Sequence, residues 1–257
     1  MALHYYCGGA AKGKSTEFDD KAWYALLSDA GYMDELIRNH WQLMGEIDTQ
    51  RRIKLIVDEW GAWHETDPSI GPSYLWAYWP TLRDALVSGI TLDIFNNHAD
   101  KVAMANAAQL VNNIHTSFLA RGDQFTVTPV YHVFHMYSAH QGGTAVRALF
   151  DAPSLDNMPA SRLAALSGSC SLHEKRVVLT VVNPHIRDAA DTEIHIRGGK
   201  ASNVRATVLS AADIHAHNTF DQPHAIEPSE KNMAGQATAL TYQFAPASVT
   251  KLEFDLA

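Results

Sequence analysis

Cysteine is nearly absent from this chain. Only Cys7 and Cys170 occur in 257 residues, far apart and matching no metal-ligand spacing. They read as reduced thiols, which points to a cytoplasmic protein rather than a disulfide-built secreted one. Basic charge is also in deficit: 20 Lys and Arg stand against 28 Asp and Glu, a net charge of -8. Nucleic acids and anionic membranes reward clustered cations, so neither is expected as a partner. No apolar stretch approaches the roughly 20 residues of a membrane-crossing helix. The N-terminus has no charged segment ahead of a long apolar one, as a signal peptide would. Internal repeats, low-complexity segments, Cys/His clusters and Gly-rich phosphate loops are missing too. What remains, 46% hydrophobic and 19% charged, is the composition of a globular protein with one large domain or two ordinary ones.

The most telling segment is Ile53-Lys-Leu-Ile-Val-Asp-Glu-Trp-Gly-Ala-Trp63. An apolar, β-branched run of strand length ends in two carboxylates and a Trp-Gly turn. Buried parallel strands read as continuous hydrophobic runs, and (β/α) barrels place catalytic groups where such strands end. Glu59 therefore stands where an enzyme would keep a nucleophile or acid/base, and Trp60 and Trp63 could form a platform for a sugar ring. The competing reading, of equal weight on this pattern alone, is that Asp58 and Glu59 cap the turn.

Around this segment the first half of the chain alternates in character. Met1 to Tyr6 reads as the end of a strand with nothing before it, so the chain is expected to be a fragment or to have a start assigned too late. A helical stretch spans about Phe18 to Asp48 with a break near Gly31. The strand of residues 53–57 is followed by a Pro/Ser/Gly loop, Asp67 to Pro72, and a helix ending near Gly89. Ile90 to Phe95 reads as another strand, and Asp100 as the N-cap of a helix running to about Leu119. This rhythm is that of a parallel α/β sheet.

After Gly122 the pattern changes. Alternating runs at Val127–Met136, Arg176–Val182, Thr192–Ile196, Val204–Leu209, Ala239–Phe244 and Ser248–Leu256, with Gly, Pro, Asn and Asp between them, predict a β-sandwich. Asp151 to Arg162 reads as a polar connection. His132, His135 and His140 fall on a predicted strand and loop and are expected at the surface. The expected division is residues 1–121 and 122–257.

A series of motifs then stands in one order: Leu3-His4-Tyr5-Tyr6, Asp58-Glu59-Trp60-Gly61 with Trp63, Asn97-His98-Ala99-Asp100, Ala108-Gln109-Leu110-Val111-Asn112, Thr128-Pro129-Val130-Tyr131, Val182-Asn183-Pro184-His185 and His217-Asn218-Thr219-Phe220-Asp221. In these the chain resembles the C-terminal part of glycoside hydrolase family 51, the intracellular α-L-arabinofuranosidases. The resemblance implies the last three βα units of a (β/α)8 TIM barrel, a partial barrel, followed by a jelly-roll-like β-sandwich. It implies a retaining hydrolase that releases terminal α-L-arabinofuranosyl groups from arabinan or arabinoxylan oligosaccharides, without cofactor or metal, and a homo-oligomer when complete. Glu59 matches the nucleophile, Tyr6 the tyrosine that hydrogen-bonds it, Trp63 an aromatic wall of the sugar subsite and Gln109 a glutamine that touches the arabinose. Without the resemblance, Tyr6 and Trp63 read as packing residues and Gln109 as a solvated helix face.

The chain departs from the family in one respect. The general acid/base glutamate follows an Asn in a Gly-Asn-Glu motif, and this sequence contains no such motif. Asp58, adjacent on the strand, is expected to point away from Glu59, Asp93 falls on a predicted strand, and Glu65 lies in a loop. The alternative to an enzyme is therefore a catalytically incompetent fragment, a structural or carbohydrate-binding module. Strands cut from a barrel leave edges unpaired, so in the chain as given the first ~120 residues are expected to be loosely structured or prone to aggregate.

Overall fold

A computed structural model describes all residues except 73–74, 108, 153–154, 156–161 and 234–236. Most of the predicted 151–162 connection and Ala108 of the Gln109 motif therefore lie outside the described residues. The first layer grows from the strand β2 (Leu55–Ala62), whose apolar start pairs in parallel with β1 (Ala2–Cys7) on one side and β3 (Val102–Ala105) on the other. Helices α1 (Asp20–Ala30) and α2 (Tyr32–Ile47) join β1 to β2, with Gly31 at the break between them. Asp19 caps α1 by accepting from Ala22 N at 2.8 Å, as a short polar side chain at that position should. Met33 and Ile37 of α2 pack with Leu3, Leu55, Val57 and Trp60 in one apolar cluster.

Between β2 and β3 the chain corrects three expectations. Ile90–Phe95 is not a strand but the second half of α3 (Leu82–Asn97). This helix is buried on nearly every side, so it lacks the polar face that marks a helix in sequence. Gly89 does not end it. A Cβ there would meet Val182 Cγ2 at 2.9 Å, so the glycine lets the helix lie close against the C-terminal sheet. Asp93 is consequently a buried helix residue. Asp100 caps no helix: it sits in a turn with Lys101, followed directly by β3. Residues 109–117 are irregular because side chains take over the backbone's hydrogen bonds. Asn112 Nδ2 donates to Ala120 O and Asn112 Oδ1 accepts from Ala120 N, both at 2.8 Å, and Thr116 Oγ1 donates to Leu110 O at 2.6 Å. Such local bonds compete with a helix ladder.

A hairpin, β4 (Phe118–Arg121) and β5 (Gln124–Val127), leads into α4 (Pro129–Tyr137). The alternating run expected over 127–136 is therefore largely helix. Thr128 at the N-cap and Pro129 at the first turn start it, and Val130, Val133 and Met136 are buried at helical spacing. The surface placement of the three histidines is corrected with it: His132 and His140 are buried, and only His135 is exposed.

The remaining strands are β6 (Thr144–Val146), β7 (Ser167–His173), β8 (Arg176–Asn183), β9 (Ala190–His195), β10 (Ala201–Leu209), β11 (Ser229–Met233), β12 (Ala239–Phe244) and β13 (Ser248–Leu256). Six form one antiparallel sheet in the order β11-β10-β13-β8-β7-β6, and β12 pairs with β9 in a second. Leu179, Val181 and Leu252 turn to the β9–β12 ribbon with Phe244, while Val182 and Val249 on the opposite face pack with Leu86 and Ile90 of α3. Covered on both sides, β8 reads as a continuous apolar run. In the half-buried β9, Thr192 and Ile194 face inward and Asp191, Glu193 and His195 outward, the alternation its sequence predicts. Two motif asparagines act as ties. Asn183 Nδ2 donates to Asp188, Phe244 and Ala245 carbonyls, and Asn218 Nδ2 bonds Val127 O at 3.0 Å and Ile226 O at 3.2 Å.

Candidate active site

At the C-terminal end of the parallel strands, β2 delivers Glu59 beside Tyr6 of β1. Tyr6 Oη donates to Glu59 Oε2 at 3.1 Å. Burial, and then the neighbouring carboxylate, raise the Tyr6 pKa, so the hydroxyl remains a donor throughout the working range. Tyr5 points elsewhere and donates to Asp29 O at 2.8 Å. Alternation along β1 thus separates two tyrosines that sequence alone could confuse. Trp63 is half-buried and lies edge-on to Tyr6, ring centres 5.3 Å apart.

Asp58 departs from its expected orientation. The register passes from Leu3 opposite Val57 to His4 opposite Glu59, leaving Asp58 without a partner. This irregularity interrupts the alternation, as bulges do beside functional residues. His4 consequently approaches both carboxylates, with Nε2 3.8 Å from Asp58 Oδ2 and Nδ1 3.7 Å from Glu59 Oε2. Trp60 is no sugar platform. It is fully buried between Phe95, Phe134 and His115. His98 does not share this face either; its Nε2 pairs with Asp34 Oδ1 of α2 at 2.7 Å. Gln109 is exposed on the segment that follows β3. It stands there on a loop rather than a helix.

Sequence reasoning missed what holds this strand end in place. Beyond Val57, β2 runs past its pairing with β3, and side chains replace the lost ladder. Ala62 N donates to His115 Nδ1 at 3.2 Å, and Ala62 O accepts from Tyr78 Oη at 2.8 Å. His115 Nε2 lies 2.8 Å from Ser88 Oγ, which donates to Asp84 O at 3.1 Å. Because Nδ1 accepts, Nε2 carries the proton, and burial lowers the His115 pKa to about 4, keeping the ring neutral. Burial alone would raise Asp84, but His64, whose Nε2 lies 3.2 Å away, together with His115 and Arg83, outweighs it and holds the carboxylate well below its usual range. Asp84 also accepts from Thr81 N at 2.8 Å, forming a capping box at the start of α3. The Thr81-x-x-Asp84 spacing was the available signal for one part of this network; His64, Tyr78 and His115 carried none.

Gly61 makes that arrangement possible. Its φ is +136°, and a Cβ would stand 2.5 Å from His115 Cγ. Gly61→Ala is expected to lower stability by about 2 kcal/mol or more, since strain and overlap coincide, and to weaken any Glu59-dependent activity with it. Thermal unfolding checks this; an unchanged melting temperature would contradict it.

Comparison with known proteins now adds to the geometry. A family model described as the α-L-arabinofuranosidase C-terminal domain matches residues 58–248, and the chain belongs to that family. It corresponds to the C-terminal portion of the family 51 enzymes. It is 27% identical over 233 residues to an intracellular exo-α-L-arabinofuranosidase of Bacteroides ovatus, covering 89% of this chain and 45% of that protein. A second relative, intracellular exo-α-(1→5)-L-arabinofuranosidase 1 of Bacillus subtilis, is 27% identical over 78% of this chain and 42% of its own length. The crystal structure of a GH51 arabinofuranosidase from Xanthomonas axonopodis pv. citri superposes with a TM-score of 0.92 at 31% identity, covering 99% of this chain and 52% of that one. The chain therefore spans about half the length of the relatives it matches.

Proposed function

We propose that this chain carries the nucleophile side of a retaining α-L-arabinofuranosidase acting on terminal α-L-arabinofuranosyl residues of arabinan- or arabinoxylan-type oligosaccharides. The observation that carries the reading is the Tyr6–Glu59 hydrogen bond at the end of parallel strands, walled by Trp63. In this reading Glu59 attacks the anomeric carbon and breaks its bond to the leaving-group oxygen, forming a glycosyl ester that water then hydrolyses to free Glu59. Tyr6 orients the attacking oxygen, Trp63 packs on the sugar ring and Gln109 reaches a ring hydroxyl. The three parallel strands and their helices are the closing part of a (β/α)8 barrel, and the two antiparallel sheets its companion domain, divided near residues 121 and 122. Helix α4 follows that division and packs back on α3, so the connection straddles both parts. The relatives' names support a cytoplasmic location, and the whole protein is read as a homo-oligomer.

A second reading is favoured by one sequence feature, the absence of a Gly-Asn-Glu acid/base motif. Under it, the chain is a structural or carbohydrate-binding module that performs no hydrolysis. An activated arabinofuranoside with a good leaving group separates the two, because its departure needs no proton. The first reading expects aryl release and, by NMR, an initial product of retained configuration. Release of the inverted sugar, or no release, would refute it. Tyr6→Phe is expected to lower kcat/KM about 10- to 100-fold, the loss of one hydrogen bond to a charged group, with little change in melting temperature. Unchanged kinetics would remove Tyr6 from the site.

A further inference from the structure

Three aromatic rings step outward from Glu59. Tyr6 touches Trp63, and Trp63 touches Trp76, with ring centres 5.5 Å apart at 45°. Trp76 is 47% exposed, whereas so large a ring ordinarily finds cover in a core or an interface. Its φ of +56° lies in the left-handed region, which costs a bulky residue conformational energy. The backbone beside it is well anchored. Asp67 N donates to Ala77 O at 2.8 Å, Ala77 is buried with Ile70 and Leu119, and Tyr78 holds Ala62 O at 2.8 Å. The loop is thus pinned next to Trp76 while the indole stands out to solvent. Two local costs, exposure and backbone strain, fall on one residue that continues the wall of the candidate site.

We propose that Trp76 is the stacking platform for the second, leaving-group sugar ring of the substrate, an inference that rests on the reading of Glu59 as nucleophile. A ring whose anomeric carbon lies at Glu59 occupies the space beside Tyr6 and Trp63. The next ring of the oligosaccharide then extends outward, to where Trp76 offers an uncharged aromatic face. The C–H face of a furanose or pyranose packs on such a surface and leaves its hydroxyls in water. The indole therefore selects for a ring-bearing leaving group.

The test measures an arabinofuranosyl disaccharide as a competitor of α-L-arabinofuranosyl fluoride hydrolysis, in the protein that carries this chain. Trp76→Ala and Trp76→Asn are expected to raise the disaccharide Ki about five- to tenfold and Trp76→Phe by less. The KM for the fluoride and the Ki for free arabinose, which have no second ring, should not move. Asn tolerates the left-handed region, so Trp76→Asn should melt no lower than wild type while still losing the disaccharide. An unchanged disaccharide Ki, or a parallel rise for free arabinose, overturns the platform. Fluoride hydrolysis that is absent or that persists in Glu59→Ala refutes the nucleophile reading and the platform with it. Glu59-dependent hydrolysis with an unchanged disaccharide Ki refutes the platform alone.

Discussion

Replacing Glu59 by Ala is expected to lower turnover of an activated arabinofuranoside on the order of 10⁴-fold or more, the scale on which removal of a nucleophile acts. Added azide should then restore part of the rate. The truncation leaves a space at the end of β2 into which a small anion fits, and azide can attack the anomeric carbon from the side Glu59 occupied. The product should be the glycosyl azide of inverted configuration, because one displacement replaces two. Glu59→Gln should show the same loss without the rescue, since the amide fills that space. The fold should survive both changes, for Glu59 is only half-buried and its neighbours His4 and Tyr6 are themselves part-exposed. Near-wild-type turnover in Glu59→Ala would remove the assignment. Loss of turnover without azide rescue, in a variant that melts normally, would move Glu59 from nucleophile to a positioning role.

How much of this was legible in the sequence depended on whether local pattern and tertiary environment agreed. Strands β8, β10, β12 and β13 were readable because their apolar residues alternate or run on as burial requires. The break at Gly31 and the Glu59 strand were readable for the same reason. Helix α3 was not, since an element enclosed on all sides has no polar face, and its Ile90–Phe95 half imitates a strand. Helix α4 was not read either: its alternating residues 127–136 imitate a strand, and the Thr128-Pro129 start signal went unweighed against them. The site divided in the same way. Glu59 announces itself at a strand end, and family resemblance supplied the roles of Tyr6, Trp63 and Gln109. The bulge that swings Asp58 toward His4 is a property of the β1–β2 register, which no single strand encodes. Nor could His115 be seen supporting Ala62, 53 residues away in the chain, because that contact exists only once β2 outruns β3.

A second large effect is expected far from the site, where α3 meets the sandwich. Asp93 is only 2% exposed. Ser169 Oγ and Thr180 Oγ1 each donate to its Oδ1 at 2.6 Å, while among the described residues the buried Oδ2 has no hydrogen-bond partner. Burial raises its pKa to about 7, against the pull of Ser169, Thr180 and Tyr137. Tyr137, which burial and then Asp93 push well above the usual tyrosine range, stays protonated, and His140, whose Nε2 lies 3.1 Å from Thr180 Oγ1, is kept neutral by burial, its pKa lowered to about 4. In the unfolded chain Asp93 ionises near the ordinary value of about 3.9. Between that value and about 7 the folded state holds a proton that the unfolded state has lost, so stability falls as pH rises through this window. Below it both states are protonated and the full contribution is present. Above it the contribution is gone, a loss on the order of 4 kcal/mol. Asn cannot ionise but keeps an acceptor for Ser169 and Thr180. Asp93→Asn is therefore expected to match wild type or fall slightly below it at pH 4, and to exceed it by roughly 2–4 kcal/mol at pH 8. Denaturant unfolding of both proteins at pH 4, 5.5, 7 and 8 measures the difference directly, since every other titrating group cancels between them. A stability difference that stays constant across that range would show that Asp93 does not hold its proton in the folded protein.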